Sequence, residues 1–243
     1  PKILSVENLS MGSMVRNNSF SLYAGQVTGL FGLIGSGRTE TAKIIAGVLK
    51  RNIFHGGELR FMGRSVRYRQ PHRAVMDGIV YVSEDRKAEG FFEQMSIAEN
   101  IYMGHIVTDP PAGGIASAST QRKVTEEWSR LLHIRAINPN ARIVELSGGN
   151  QQKVVIAKSL TQKPRLVIFD EPTRGVDVGA IAEIHKVIQG LADSGIAVLV
   201  ISSYLPEILV LSDRILVSRM GRVVEEFSPG EATEEKIMYA AVH

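Results

Sequence analysis

The sequence predicts an α/β fold: a parallel sheet at the core, an antiparallel β-sheet near the N-terminus and an inserted α-helical subdomain. Three observations carry this. Residues 166–169 (Leu-Val-Ile-Phe) and 196–201 (Ile-Ala-Val-Leu-Val-Ile) are apolar runs without polar alternation, as expected of strands buried on both faces of a parallel sheet. Between them Ile181, Ile184, Ile188 and Leu191 form one apolar stripe at helical spacing, closed by Gly195, so the order is strand, helix, strand with a right-handed crossover. Near the N-terminus, residues 3–9, 20–23 and 57–61 are short, alternating and separated by turn residues, the pattern of antiparallel strands.

The remaining elements follow in order. Residues 27–31, a glycine-rich stretch and residues 39–49 read as a second strand, loop and helix. Helical signals dominate residues 96–160: Ser96-Ile-Ala-Glu99 is a capping box and residues 120–132 are amphipathic. Asp109-Pro-Pro-Ala-Gly-Gly114 between them is expected to be a mobile loop. One domain is expected over residues 1–243, its core at about 1–90 and 160–243 and its helical subdomain at about 91–159. No internal repeat is visible.

Composition narrows the function. A hydrophobic share of 44% and a charged share of 22% are those of a globular chain and argue against disorder. With no cysteine, disulfides, thiolate zinc sites and Cys nucleophiles are excluded. The net charge is only +3, and the basic stretch 60–73 is interrupted by Met62, Val66, Tyr68 and Pro71, so nothing points to nucleic acid as a partner. The longest apolar run, residues 196–201, is far short of the roughly 20 residues that span a bilayer. The first residues lack the apolar segment of a secretory signal, and Pro1 in place of Met fits a fragment of a longer chain.

Three motifs carry chemistry. Gly32-Leu33-Ile34-Gly35-Ser36-Gly37-Arg38-Thr39 has the spacing of a phosphate-binding P-loop, with Arg38 where lysine is usual. Glycines let backbone N–H groups converge on phosphate oxygens, and the following helix presents its positive end. Thr39 is placed to ligate Mg²⁺. A glycine-rich strand-to-helix turn without a ligand has the same spacing. Asp170 and Glu171 end a buried strand, where ligands meet a parallel sheet. Asp170 is expected to hold Mg²⁺ through water and Glu171 to orient or deprotonate the attacking water, although both can also cap the next helix. Leu146-Ser147-Gly148-Gly149-Asn150-Gln151 opens a third element at a helix start, a second anion site. Two such sites make sense in one domain if the second grips a nucleotide held by another molecule.

Together, in this order and spacing, these motifs resemble the ATP-binding-cassette (ABC) ATPases over essentially the whole chain, with a P-loop nucleoside triphosphatase core. The segments Gly32–Glu40, Ser83-Glu-Asp-Arg-Lys87 and Leu146–Lys153 are similar to those of the second cassette of monosaccharide importers of the ribose, galactose and xylose kind. Those proteins carry two cassettes in one polypeptide. The resemblance implies a transport-coupled ATPase using ATP and Mg²⁺, peripheral at the cytoplasmic face of the bacterial inner membrane. It further implies a second cassette (in the same polypeptide or as a homo- or heterodimer), integral membrane permease subunits and, indirectly, a sugar-binding protein. In that arrangement Ser147, Gly148 and Gly149, with Leu146, Asn150 and Gln151, touch the ATP on the partner's P-loop. Asp177 lies in the loop that crosses the interface, and the segment near Glu84 with the helical insertion receives the membrane subunit, unless that insertion is simple packing.

The sequence departs from the family at clustered positions. Arg38 replaces lysine, and Glu40 stands where a hydroxyl meets the α-phosphate, although an acid there also suits the helix dipole. Glu84 takes the place of a glutamine near Mg²⁺, and Ser203 that of the histidine that contacts the γ-phosphate. No aromatic residue stands between Leu9 and Phe20 to stack on adenine; Met11 and Met14 are there instead. The expectation is a weakened nucleotide site of its own, with a signature segment that completes the partner's. The competing readings are a non-hydrolytic nucleotide-binding regulatory or scaffold domain, and a cassette protein of translation or DNA repair, whose helical arms and basic linkers are not found here.

Overall fold

A computed structural model describes residues 1–135 and 138–243. In chain order the elements are β1 (Lys2–Met11), β2 (Val15–Tyr23), β3 (Val27–Gly32), α1 (Arg38–Ile45), β4 (Glu58–Phe61) and β5 (Arg64–Val66). Next come α2 (Pro71–Asp77), β6 (Ile79–Val82), α3 (Ile97–Thr108), α4 (Ala118–Leu131), α5 (Gly148–Leu160) and β7 (Leu166–Asp170). The chain ends with α6 (Val178–Asp193), β8 (Ala197–Ser202), α7 (Leu205–Leu211), β9 (Arg214–Arg219), β10 (Arg222–Phe227) and α8 (Glu234–Val242). These elements form two compact units. One comprises Pro1–Tyr81, Arg165–Glu171 and Ile188–His243, the other Val82–Pro164 and Pro172–Val187.

The first unit holds both sheets. Among the described residues, a four-stranded antiparallel sheet runs β2-β1-β4-β5 and a six-stranded sheet runs β10-β9-β3-β8-β7-β6. In the larger sheet β9, β3, β8 and β7 pair in parallel, and β10 joins β9 antiparallel. Every residue of β3, β7 and β8 is buried, which is why these strands read as continuous apolar runs. One apolar core joins the two sheets: Leu4, Leu22 and Phe61 meet Leu30, Ile168 and Leu199, with Ala42 and Ile45 of α1 among them. Two expected boundaries move. The helix expected over residues 39–49 stops at Ile45, with Ala46 as its C-cap, because Gly47 takes φ +76° just past the cap. The strand expected at residues 20–23 is the end of a longer one that begins at Val15.

The second unit is helical. The Ser96 capping box at the start of α3 is present in both directions, Ser96 Oγ accepting from Glu99 N and Glu99 returning the bond to Ser96 N. Residues 109–114, expected as a loop, contain a short 3₁₀ turn over Ala112–Gly114. A π turn covers Arg86–Gly90, capped by the Asp85 side chain, which accepts from Ala88 N, and no local sequence pattern signals it. Among the described residues no helix is long and apolar enough to cross a membrane.

Candidate phosphate loop and signature segment

In the first unit, β3 ends at Gly32 and the chain turns through exposed Leu33 and Ile34 into α1. Gly35 and Gly37 have φ of +83° and +85°, conformations that side chains rarely tolerate. At Gly37 the constraint is also steric. A Cβ there would lie 2.9 Å from Gly221 Cα and run into the Met14 carbonyl, so the β1–β2 and β9–β10 turns press on the loop. Ser36 O accepts from Gly221 N at 2.9 Å and from Ser218 Oγ at 3.0 Å, which pins the loop further. The Ser36 hydroxyl is buried and has no partner among the described residues. No side chain caps α1, so its first N–H groups are available to an anion. Glu40 lies in that first turn, and Thr39 and Glu40 are half-buried.

Arg38 does not project from the loop. It is 9% exposed; one guanidinium nitrogen donates to the Gly32 carbonyl and another to Glu171 Oε1 at 3.3 Å. The same Oε1 accepts from Ser203 N at 2.8 Å. Glu171 takes φ +48° and donates its own N–H to Ile201 O at 2.8 Å, which turns its carboxylate to these two donors. Three residues singled out separately in the sequence, Arg38, Glu171 and Ser203, thus meet at one carboxylate oxygen. Ser203 contributes its backbone N–H. Next in the chain, Asp170 is fully buried at the end of β7 and accepts from Tyr81 Oη at 2.7 Å.

The signature segment lies in the second unit. Ser147 is the N-cap of α5; its hydroxyl accepts from Asn150 N at 3.4 Å and from Asn150 Nδ2 at 3.2 Å. Asn150 Oδ1 accepts from Arg135 N at 3.0 Å, and Gln151 donates to Ile143 O at 3.3 Å, so both side chains brace the helix start. Leu146, just before the cap, is half-buried. The glycines are needed for close approach. A Cβ on Gly148 would sit 2.8 Å from Gly175 O and 3.1 Å from an Arg86 nitrogen; one on Gly149 would sit 3.2 Å from Asp177 Oδ1 and strike Ala180 Cβ. The loop holding exposed Asp177 therefore lies directly against this helix start.

Arg86 ties that loop down, donating to Arg174 O at 2.9 Å and Gly175 O at 3.2 Å. Burial lowers its pKa from the ordinary arginine value. Glu84 forms an ion pair with Arg174 at 2.6 Å, which commits the carboxylate expected near Mg²⁺ to a cation of its own unit. Deeper in the unit, buried Lys153 donates to His133 O at 3.2 Å and pairs with Glu183. The hydrogen bond from Lys153 lowers the Glu183 pKa, against a smaller opposing effect of burial. Tyr81, Arg86 and Arg174 were not singled out from sequence. Tyr81 gave a faint signal, as a hydroxyl on an otherwise apolar strand; Arg86 and Arg174 lay beside chosen residues without a distinguishing pattern.

The chain matches the ABC transporter family over residues 15–174. It is 44% identical over 241 residues to the ribose import ATP-binding protein of Caldanaerobacter subterraneus subsp. tengcongensis, covering 99% of this chain and 48% of that protein. A ribose import ATP-binding protein of Rhizobium etli is 45% identical over 239 residues, covering 98% of this chain and 46% of that protein. The chain spans about half the length of the curated relatives it matches. Among solved structures, a nucleotide-free ATP-binding cassette from an ABC transporter superposes with a TM-score of 0.82 at 23% identity, over all of both chains. The dimeric structure of a bacterial ABC transporter cassette gives a TM-score of 0.80 at 20% identity, over 93% of this chain and 99% of that one. At these identities the structural likeness is one of fold.

Proposed function

The chain belongs to the ABC transporter family, and from that premise we propose that it is an ATP-binding and ATP-hydrolysing cassette which pairs with a second cassette to power monosaccharide import. Relatives named for ribose import, each about twice the length of this chain, support both the substrate class and a partner cassette. In this reading the pair works with membrane permease subunits, indirectly with a sugar-binding protein, at the cytoplasmic face of the bacterial inner membrane. The helical unit, with the segment near Glu84, receives the permease.

Within the pair the roles are unequal. The observation that carries this is Arg38, the P-loop cation, whose guanidinium is committed to the Gly32 carbonyl and the Glu171 carboxylate. A triphosphate must compete with Glu171 for Arg38, and Glu171 must lose a cation before it can take a proton from water. Ser203 has no imidazole to offer the γ-phosphate and uses its N–H on Glu171. Losing one preorganised contact to developing charge costs ~3–4 kcal/mol, or ~10²–10³ in rate, so the chain's own site binds ATP weakly and turns it over slowly. Its signature segment carries no such defect. The glycines and the Ser147 cap support a helix start able to receive the partner's nucleotide.

The loop conformation, the uncapped start of α1 and the unpartnered Ser36 hydroxyl suit phosphate oxygens. Thr39 and Asp170 supply oxygen donors, and a hard cation with few protein ligands and several from phosphate and water fits such a pair; among the described residues no cluster of three or more His, Asp or Glu offers an all-protein cage. When bound, Mg²⁺ neutralises phosphate charge. Tyr81 orients the Asp170 carboxylate.

The test is ATP hydrolysis by the assembled pair. Ser147→Arg is expected to abolish it, because it blocks the partner's nucleotide, and Glu171→Gln to have the smaller effect. The reverse ranking rejects the division of labour. Nucleotide binding with no effect of Ser147→Arg would assign the chain instead to a non-hydrolytic scaffold.

A further inference from the structure

We propose that the first unit carries a second anion site, separate from the P-loop, that takes the phosphate group of a small soluble phosphomonoester. The site lies beyond the far end of α1. The P-loop precedes this helix and residues 50–53 follow it; eight residues of helix put about 12 Å between the two ends.

The local charge is lopsided. Residues 50–73 hold seven Lys or Arg against one Glu, a net +6 in a chain whose total is +3. Four of these cations, Lys50, Arg51, Arg67 and Arg69, line a cavity of about 380 Å³ with Ile44 and Tyr68 on its apolar side. That volume lies within the ~300–1,000 Å³ range of small-molecule pockets. Among the described residues none of the four forms an ion pair with a carboxylate, and the nearby acids are engaged elsewhere: Glu58 pairs with Arg60 at 3.1 Å, and Asp77 accepts from Tyr68 Oη at 2.7 Å.

Arg51 makes the cavity more than a basic patch. Its Nε and Nη1 are both buried and have no hydrogen-bond partner among the described residues. A buried donor without an acceptor is unfavourable, more so when charged, and an oxyanion in the cavity would supply the acceptors. Arg67 compounds the demand. It donates to Asn52 O at 2.9 Å and Arg51 O at 3.3 Å, which fixes the segment and holds a second guanidinium beside Arg51. Burial and this neighbour lower the Arg51 pKa, with a smaller opposing pull from Glu58. Asn52 N donates to Ser10 O at 2.9 Å, and Asn52 Oδ1 accepts from Gly12 N at 3.0 Å, so the wall is anchored before any ligand arrives.

Guanidinium forks match the several acceptor oxygens of a tetrahedral dianion better than a single carboxylate does. The apolar side formed by Ile44 and Tyr68 suits the organic part of a phosphomonoester. A concave site of this size favours a small molecule over a membrane surface.

The probe is phenyl phosphate, titrated calorimetrically into the full chain at constant ionic strength, with phenol and sulfate as controls. ATP affinity is measured on the same samples to monitor the P-loop. Binding to the wild type is expected, weakened about tenfold or more by Arg51→Gln and also by Arg69→Gln, with ATP affinity unchanged. Arg69 is exposed, so its substitution keeps the test valid if Arg51→Gln fails to fold. Binding that is absent, equal in wild type and variants, or no tighter than that of sulfate overturns the proposal. So does loss of binding to phosphatidylglycerol vesicles on Arg69→Gln without any phenyl phosphate binding, which would assign the cations to lipid headgroups.

Discussion

Replacing Glu171 by glutamine should make this chain bind ATP more tightly. The substitution removes the charge that holds Arg38 and keeps an acceptor oxygen for the Ser203 N–H, which donates at 2.8 Å. The Arg38–Glu171 pair is 3.3 Å apart, with side chains 10% and 9% exposed. At an effective dielectric of ~20 the attraction at this distance is ~5 kcal/mol before desolvation. Desolvation cancels most of that in a buried pair, which leaves the ~1.5–3 kcal/mol of a hydrogen bond to a charged group. Glutamine still accepts from the guanidinium but without the attraction between opposite charges, so Arg38 becomes easier to withdraw by about 0.5–2 kcal/mol, a gain in affinity of about 2- to 30-fold. The assay is titration of a non-hydrolysable ATP analogue into wild-type and Glu171→Gln chains kept monomeric, as checked by sedimentation velocity, so that tightening cannot arise from pairing. An unchanged or weaker dissociation constant in a folded variant would show that Arg38 is not restrained by Glu171.

Gly148→Ala should disturb the second unit, because its Cβ would stand 2.8 Å from the Gly175 carbonyl and 3.1 Å from the Arg86 guanidinium that holds the loop. Amide exchange across residues 174–177 is expected to speed up at least several-fold, whereas a local unfolding cost below ~0.5 kcal/mol would mean that the loop yields freely. The Lys153–Glu183 pair sets a pH dependence. Because the folded carboxylate has a pKa below the ordinary 4.5, its contribution is present above that value and lost as pH falls through the folded pKa. The difference in urea midpoint between wild type and Glu183→Gln should therefore be largest near neutral pH and shrink under acid; a difference that stays constant with pH would remove the ion pair as its cause.

The parts legible in the sequence are those where one local rule had no competitor. Strands β3, β7 and β8 are buried along their whole length, so nothing interrupts their apolar runs. The Ser96 box needs only residues three apart. The first half of β2 was missed because Arg16-Asn17-Asn18-Ser19 reads as a turn. Asn18 is nonetheless 1% exposed: its side chain donates to Thr41 Oγ1 at 3.1 Å and accepts from Val223 N at 2.8 Å. Those partners are remote in sequence, and no window around residue 18 contains them. Likewise the glycine-rich turn between β3 and α1 could be read, but the direction of the Arg38 side chain could not.

Arg38 is where composition becomes mechanism. A lysine at this position has a single ammonium, which must either approach the phosphates or satisfy a neighbour. A guanidinium is longer and carries donors along a rigid fork, and here the fork spans the loop's own Gly32 carbonyl and a carboxylate 133 residues away. Glu171 can be spared for that role because its left-handed backbone and the Ser203 N–H already aim it at the loop. The Ser203 N–H and the arginine fork share one Glu171 carboxylate oxygen, a contact that needs only the backbone at 203. Under the proposed division of labour, Arg38→Lys alone should raise the chain's own ATPase rate little, because Ser203 N still holds Glu171 and no imidazole faces the γ-phosphate, whereas Arg38→Lys with Ser203→His should raise it clearly; equal rates for the two variants would refute this.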